Sequence, residues 1–283
     1  MTAPLSLSIV IPWANRDELG RTLRANAALA RAHGFELVVV DCGGDPGRCE
    51  AALAAAGVPV TLVEVPTDGF NKALALNLGA HAAAGEALMF LDADVILDEG
   101  WISDALAALA EGAFVTVARV RESQPAADPV GGQGLRAIAH VVELETEAGA
   151  IVRVETNRQE FGDQSRGGPG LIILRRADFL AVDGMNSDLL GWGWEDVDLV
   201  ARLQLTETAR RVCLGSALHL SHGDELRAID AGDRHRSERN NFGVCLANYR
   251  LGHLRGTFND DMQSCLEFIE VRQWTPATTS ERG

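Results

Sequence analysis

An α/β fold, one domain with a mostly parallel central sheet flanked by helices, is what the sequence predicts. Short β-branched runs alternate with segments of helical period through roughly the first 120 residues. Hydrophobic residues make up 47% of the 283, enough to fill a sizeable core. Asn15, Asp41, Asp92 and Asp94 fall just past the ends of expected strands, where parallel sheets bind their ligands.

"LSLSIVIP" (Leu5–Pro12) reads as a buried strand, and the segment after it repeats Leu19, Leu23, Ala27 and Ala30 at helical spacing. Asn15 with Glu18 three residues on resembles a capping box, and Gly34 is a suitable helix stop. The unit then repeats: "ELVVVD" (Glu36–Asp41) as strand, "PGRCEAALAAAG" as helix, and "VTLVEV" ending at Val65 as strand. "NKALALNLGAHAAAG" follows as helix and "ALMFLD" (Ala87–Asp92) as strand. Such alternation implies right-handed crossovers and a parallel sheet. "WISDALAALAEGAFVTVARV" continues as helix then strand, after which the rhythm changes. Two Pro/Gly-rich stretches, Glu122–Gly134 and Phe161–Gly170, read as loops around a segment without a clear period. "LIILRR" (Leu171–Arg176) is expected as strand, "ADFLAVDG" as a short helix, "GWGWEDVDLVARLQL" as a Gly-rich turn entering a helix, and "RVCLGSALHLSHGDE" as a strand leading to two histidines. From Gly232 the chain is polar, with one helix expected around "ERNNFGVCLANYRL".

A net charge of −15 excludes a nonspecific binder of nucleic acid or of anionic membrane, both of which favour basic surface. An anionic small molecule would need local cations or a metal. The five cysteines are scattered, odd in number and form no CxxC pair, so reduced thiols and a cytoplasmic protein are expected. The N-terminal segment lacks a basic region before its short apolar run, and no stretch approaches about 18 consecutive apolar residues. Neither a signal peptide nor an integral membrane segment is expected.

Three constellations carry chemistry. The D-x-D string Asp92-Ala93-Asp94 follows a strand, where a carboxylate pair makes half of a Mg²⁺ or Mn²⁺ site; the competing reading is helix capping. In "GWGWEDVDL" (Gly191–Leu199), glycines permit a tight turn and Trp192 and Trp194 offer faces for a sugar or base. Glu195 and Asp196 then open a helix, where the dipole favours ionised carboxylates and one could act as general base. The plainer alternative is a structural helix start with Asp198 and Arg202 as a surface pair. His219 and His222 could each join the aspartates on a metal, and their spacing does not say which. Lys72 and Asn77 lie on the helix before the Asp92 strand, with Lys72 near its start as a cation for phosphate.

"LSIVIPWANR", "ELVVVDCGG", "FNKALALNLGAHAAAGEALMFLDADV" and "GGPGLIILRRADFLAVDGMNSDLLGWGWEDVDL" together resemble nucleotide-sugar-dependent glycosyltransferases of the GT-A fold. The likeness spans about residues 5 to 225. It is nearest to the large inverting family typified by bacterial chain synthases, with a C-terminal half similar to the galactosyltransferase and polypeptide N-acetylgalactosaminyltransferase group. The resemblance implies a hexosyl- or N-acetylhexosaminyltransferase using a UDP-sugar in preference to a GDP-sugar, a hydroxyl-bearing acceptor, and Mn²⁺ or Mg²⁺. It implies that Pro12, Asn15 and Arg16 line the nucleotide pocket, Asp41 contacts base or ribose, and Lys72 is the basic position ahead of the metal motif, with Asn77 counted in the donor set. Asp92 would face the donor, Asp94 would ligate the metal with His222 or its rival His219, and Trp192 and Gly193 would shape the sugar and acceptor pocket. Asp196 would be the base of a single displacement and Glu195 would bond sugar or acceptor hydroxyls. Trp194 replaces the second glycine usual in the galactosyltransferase type, and the carboxylate at Asp196 favours inversion. The alternatives are a retaining transferase, a nucleotidyltransferase on a related sheet, and a catalytically silent nucleotide-sugar binder. As organisation we expect one domain over 1–283, with a nucleotide-sugar-binding half (1–120), an acceptor and catalytic half (121–230) and a helical tail (231–283).

Overall fold

Apolar residues occupy both faces of the first strands, so these strands have to be covered on both sides. In the computed structural model, which describes residues 5–124, 134–146, 148–222 and 234–276, they are. The expected loop at 125–133, the residues after the histidine pair at 223–233 and the chain end at 277–283 lie outside the described residues. β1 (Leu7–Trp13), β2 (Glu36–Cys42), β3 (Val60–Val65) and β4 (Ala87–Phe90) form a parallel core in the order β3-β2-β1-β4. Ile9, Ile11, Val39 and Met89 face α1 (Leu19–His33), α2 (Pro46–Ala56) and α4 (Ile102–Ala110). Val10, Val38, Val40 and Phe90 face α3 (Lys72–Ala82), α5 (Arg176–Ala181) and α6 (Glu195–Leu205).

The second half of the chain joins the same sheet. β9 (Arg166–Arg175) pairs antiparallel with β4 and with β6 (Ala113–Glu122), and β10 (Arg210–His219) lies parallel to β6 and antiparallel to β5 (Val95–Leu97). The 11-stranded sheet is therefore mixed, its parallel core extended by antiparallel strands. The stretch "RGGPG", expected as loop, is the start of β9. Its glycines sit where the β6–β9 register shifts, and such irregularities tolerate residues that weaken a regular strand. The segment without a clear period is a hairpin, β7 (Ala137–Glu145) with β8 (Ile151–Glu160). Most β7 side chains are exposed, so no apolar alternation marks it.

The polar tail holds more than one helix. After α7 (Arg234–Arg250) come α8 (Phe258–Cys265) and β11 (Glu270–Trp274), which adds antiparallel to β3. The capping box does not form: Glu18 occupies the α1 N-cap without a side-chain bond, and Asn15 instead adopts φ 57° and accepts from the Asp45 N–H. Gly34 ends α1 with φ 69°, as expected. Between β5 and α4, the Asp98 carboxylate accepts from Arg121 and Ser216.

Asp198 and Arg202 are not a surface pair. Each is 1% exposed, with Arg202 Nε 2.7 Å from Asp198 Oδ2. Tyr249 of α7 donates to Asp198, and Arg202 Nη1 donates to the Val182 carbonyl. A buried pair that loses one member leaves the other charge uncompensated. Arg202→Met is expected to lower stability by about 3–5 kcal/mol, read as a fall in thermal midpoint with the same cooperative transition.

Candidate active site

Past β4 the chain turns sharply and α1 fixes the turn. Leu91 N–H donates to Val10 O, and Val95 N–H donates to Asp92 O. Two polar residues on the buried face of α1 clamp the same segment: Thr22 Oγ1 donates to Ala93 O at 2.6 Å, while Asn26 bonds both Val95 O and Leu97 N–H at 2.9 Å. Neither aspartate caps α4, which begins at Ile102 after Trp101. Asp92 and Asp94 are thereby held in place to engage different partners.

Asp94 meets both histidines. His219 Nε2 lies 3.6 Å from Asp94 Oδ1 and His222 Nε2 lies 3.3 Å from Asp94 Oδ2. One ligand atom from each of the three falls within 4.8 Å of the others, a grouping that could hold one ion. Arg16 also donates to Asp94 Oδ2. Asp94 Oδ1 is buried with no hydrogen-bond partner, since 3.6 Å exceeds hydrogen-bond length. Behind them, Glu122 on β6 sits beside His219 in register and contacts its Nδ1 at 2.6 Å, which orients the ring. Ser221 and Arg166 bond Glu122 in turn.

The electrostatics follow. Burial would raise the Asp94 pKa, but the close His219 imidazole, Arg16 and His222 hold its carboxyl well below the usual range. Burial likewise opposes Glu122, yet its bond to His219 brings it down to about 2. Burial would depress His219, but Asp94 and Glu122 lift it to about 9. One carboxylate and two imidazoles, with an orphaned buried oxygen between them, fit a divalent cation that accepts mixed oxygen and nitrogen ligands.

The second cluster forms at the start of α6. Trp194 adopts φ 73° and Gly193 φ 98°, so the chain reverses just before the helix, and Trp194 packs on Phe242 at 4.4 Å between centroids. From α7, Ser237 accepts from Trp192 N–H, and Asn241 donates to the Leu190 and Gly193 carbonyls. This delivers Asp196 to Lys72, whose Nζ is 2.9 Å from Asp196 Oδ2 and 2.8 Å from Asp92 Oδ1. Burial alone would lower the Lys72 pKa, and the charges of Asp196, Asp92 and Glu195 raise it well above its ordinary value. Asp196 is itself raised, by burial first, with Lys72 opposing and Asp92 adding. Asp196 Oδ1 and Glu195 Oε2 are buried without a hydrogen-bond partner.

Glu195 is pushed up to about 7, mainly by burial and then by the Asp196 charge. Between the ordinary value of 4.5 and about 7 the folded chain keeps a proton that the unfolded chain has lost. This contribution to stability is present below pH 4.5 and lost as pH rises through about 7. Glu195→Gln is therefore expected to lose a few degrees less of its melting temperature than the parent between pH 5 and pH 8, as scanning calorimetry would record.

Both clusters open into one cavity of about 770 Å³. Pro12, Asn15, Arg16, Lys72, Asp92, Asp94, Trp192, Gly193, Glu195, Asp196, His219 and His222 line it, so most of the expected site residues converge. Asp41 and Asn77 do not. Asp41 is buried and accepts from the Gly44 N–H, while Asn77 is fully buried and bonds both Met185 backbone groups and Asp261. Asn77 holds α3 to the loop before Gly191; its amide is saturated and is not free to meet a donor. Thr156 and Asn157 of β8, Arg166, Arg48 and Glu238 also line the cavity and were not anticipated. Thr156 and Asn157 lie in the hairpin without a period and Glu238 on a polar helix, while Arg48 on α2 and Arg166 at the start of β9 carry no local signal of a site.

The family profile described as glycosyl transferase family 2 matches residues 8–176, more than half the chain. A second, described as the N-terminal domain of galactosyltransferase, matches residues 152–222, which include β8, the Gly191–Asp196 turn and both histidines. The chain belongs to glycosyl transferase family 2, and its mixed sheet flanked by helices is the GT-A fold. It is 31% identical over 218 residues to validoxylamine A glucosyltransferase of Streptomyces hygroscopicus subsp. limoneus. That match covers 70% of this chain and 47% of the relative, so the chain spans about half the length of the curated relative it matches. Among the described residues no helix is long and apolar enough to cross a membrane.

Proposed function

We propose that the chain is a metal-dependent glycosyltransferase that moves a sugar from a UDP-sugar to an acceptor hydroxyl with inversion, with Asp196 as base. One observation carries this reading: a single cavity holds both the Asp94, His219 and His222 cluster and the buried Asp196 carboxylate with an unpartnered oxygen. The relative's name, a glucosyltransferase, supports hexosyl transfer. We take residues 1–283 as one cytoplasmic domain.

Asp94, His219 and His222 would hold the cation, and the two imidazoles favour Mn²⁺ over Mg²⁺. When bound, such an ion supplies neutralisation of charge on a diphosphate leaving group. Pro12, Asn15 and Arg16 line the nucleotide end, and Asp92 faces the donor sugar. Lys72 fixes Asp196 by bonding Oδ2, leaving Oδ1 to accept a hydrogen bond from the acceptor hydroxyl and then its proton. Burial makes Asp196 a better base than an exposed aspartate. Trp192 and Gly193 shape the pocket in which sugar and acceptor meet.

A thermal-shift panel of UDP- and GDP-sugars with Mn²⁺ tests the donor. Ligand at 100 times its Kd stabilises by about 2.7 kcal/mol, and UDP-sugars are expected to raise the midpoint most. Larger shifts with GDP-sugars would reverse the choice of base. Gly170 gives a geometric test, because a Cβ there would overlap the Asp196 carboxylate. Gly170→Ala is expected to cut turnover about 100-fold, the scale for a catalytic group displaced by about 1 Å, and to lower the melting temperature as the Lys72–Asp196 pair is disturbed.

A further inference from the structure

Arg16 stands between two carboxylates. Its Nη2 donates to Asp94 Oδ2, and its Nε lies 3.5 Å from Glu18 Oε2. The second separation is that of an ion pair without a hydrogen bond, and Glu18 Oε2 is buried with no hydrogen-bond partner. A buried carboxylate oxygen left in that condition is costly. Capping does not account for it: Glu18 is the N-cap of α1, yet its side chain bonds no helix N–H.

The backbones around this arginine are fixed. Buried Trp13 donates through Nε1 to the Arg16 carbonyl at 2.8 Å. The Glu18 carbonyl accepts from the Arg21 and Thr22 N–H groups, and Thr22 and Asn26 clamp the chain on either side of Asp94. The side chain of Arg16 is the part that can rearrange. Asp94 Oδ2, meanwhile, has a second claimant. His222 Nε2 lies 3.3 Å from it, within the Asp94, His219 and His222 group that would hold a divalent ion. A guanidinium and a divalent cation repel, and in a buried site that repulsion is weakly screened.

We propose that Arg16 is a two-position counter-ion: it holds Asp94 Oδ2 until a divalent cation takes that oxygen, and then pairs with Glu18 Oε2. This rests on the cation site of the function proposed above and adds its regulation. The apparent affinity for metal is the intrinsic affinity reduced by the fraction of chains in which Arg16 has left Asp94. Arg16 and Glu18 are positioning residues that act on the metal through Asp94.

The test is titration of Mn²⁺ into the full chain, followed by its electron paramagnetic resonance signal without nucleotide, for the parent, Arg16→Met, Glu18→Gln and the double variant. Arg16→Met is expected to bind Mn²⁺ about tenfold tighter, the scale of one charge-assisted hydrogen bond that no longer competes. Should Arg16→Met not fold, Arg16→Gln carries the same expectation. Glu18→Gln should bind about tenfold weaker, because the guanidinium loses its second position, although Glu18 lies outside the ligand group. Without Arg16 there is nothing for Glu18 to receive, so the double variant should match Arg16→Met within about twofold. An arginine that only supported the fold would weaken metal binding when removed. Weaker or unchanged binding by Arg16→Met, or a Glu18→Gln loss that persists in the double variant as a plain loss of negative charge, overturns the proposal. Equal binding by parent and Arg16→Met sinks the two-position arginine and leaves the cation site standing; no Mn²⁺ binding by the parent or any variant overturns the cation site and the arginine's role with it.

Discussion

Asp196→Asn is expected to cost about 100- to 10,000-fold in turnover, the range for loss of a general base, while UDP-sugar binding stays within a few-fold. Asparagine keeps the shape of aspartate, and Lys72 retains Asp92 as a partner at 2.8 Å. What is lost is the ability to take a proton at Oδ1, the atom without a hydrogen-bond partner in the folded chain. The pH profile supplies a second readout. Because the Asp196 pKa is raised, turnover by the parent should climb with pH through that raised value, and the residual turnover of the variant should not. Loss of donor binding instead would assign Asp196 to holding the donor.

The second large effect concerns the metal. His219→Ala and His222→Ala are each expected to weaken Mn²⁺ binding by at least about 100-fold, since even partners behind a ligand are worth 10–100-fold. Both should fail, because each ring faces a different oxygen of Asp94. Glu122→Gln should cost less, about tenfold, since it acts by orienting His219. Titration of the Mn²⁺ electron paramagnetic resonance signal reads all three without turnover. A histidine variant that binds Mn²⁺ like the parent would remove that residue from the ligand set.

The first four strands and three helices were legible because each strand is apolar on both faces and each helical segment lies between turn residues; α1 also shows a helical period, whereas α3 is buried nearly all round. The Asp94 cluster was partly legible. D-x-D and the histidine pair were visible as strings, but only the parallel pairing of β10 with β6, antiparallel to β5, brings them together. That both histidines reach Asp94 depends on backbone direction after His219, which no local pattern encodes. Glu122 was invisible for the same reason: it meets His219 across 97 positions of sequence, by strand register.

Other readings failed where tertiary contacts overrode local preference. Asn15 carries the residue type of a helix cap, yet the Asp45 N–H takes its side chain and positions the loop against α2. Asn77 sits five residues beyond Lys72 on α3 and was grouped with it, but 3.6 residues per turn put it on another face, toward Met185 and Asp261. β11 was not legible because "EVRQW" is short, mostly polar and leaves its one aliphatic residue, Val271, exposed; it is held by pairing with β3 and by Arg272 bonding Glu64 at 2.9 Å.

Asp94, His219 and His222 are proposed as the cation site that lets this acidic chain bind a nucleoside diphosphate. Calorimetric titration of UDP into the protein with Mn²⁺, and again with excess chelator, tests it most directly. Saturable binding is expected with Mn²⁺, abolished by the chelator and by His222→Ala. Equal binding of UDP with and without metal would contradict it.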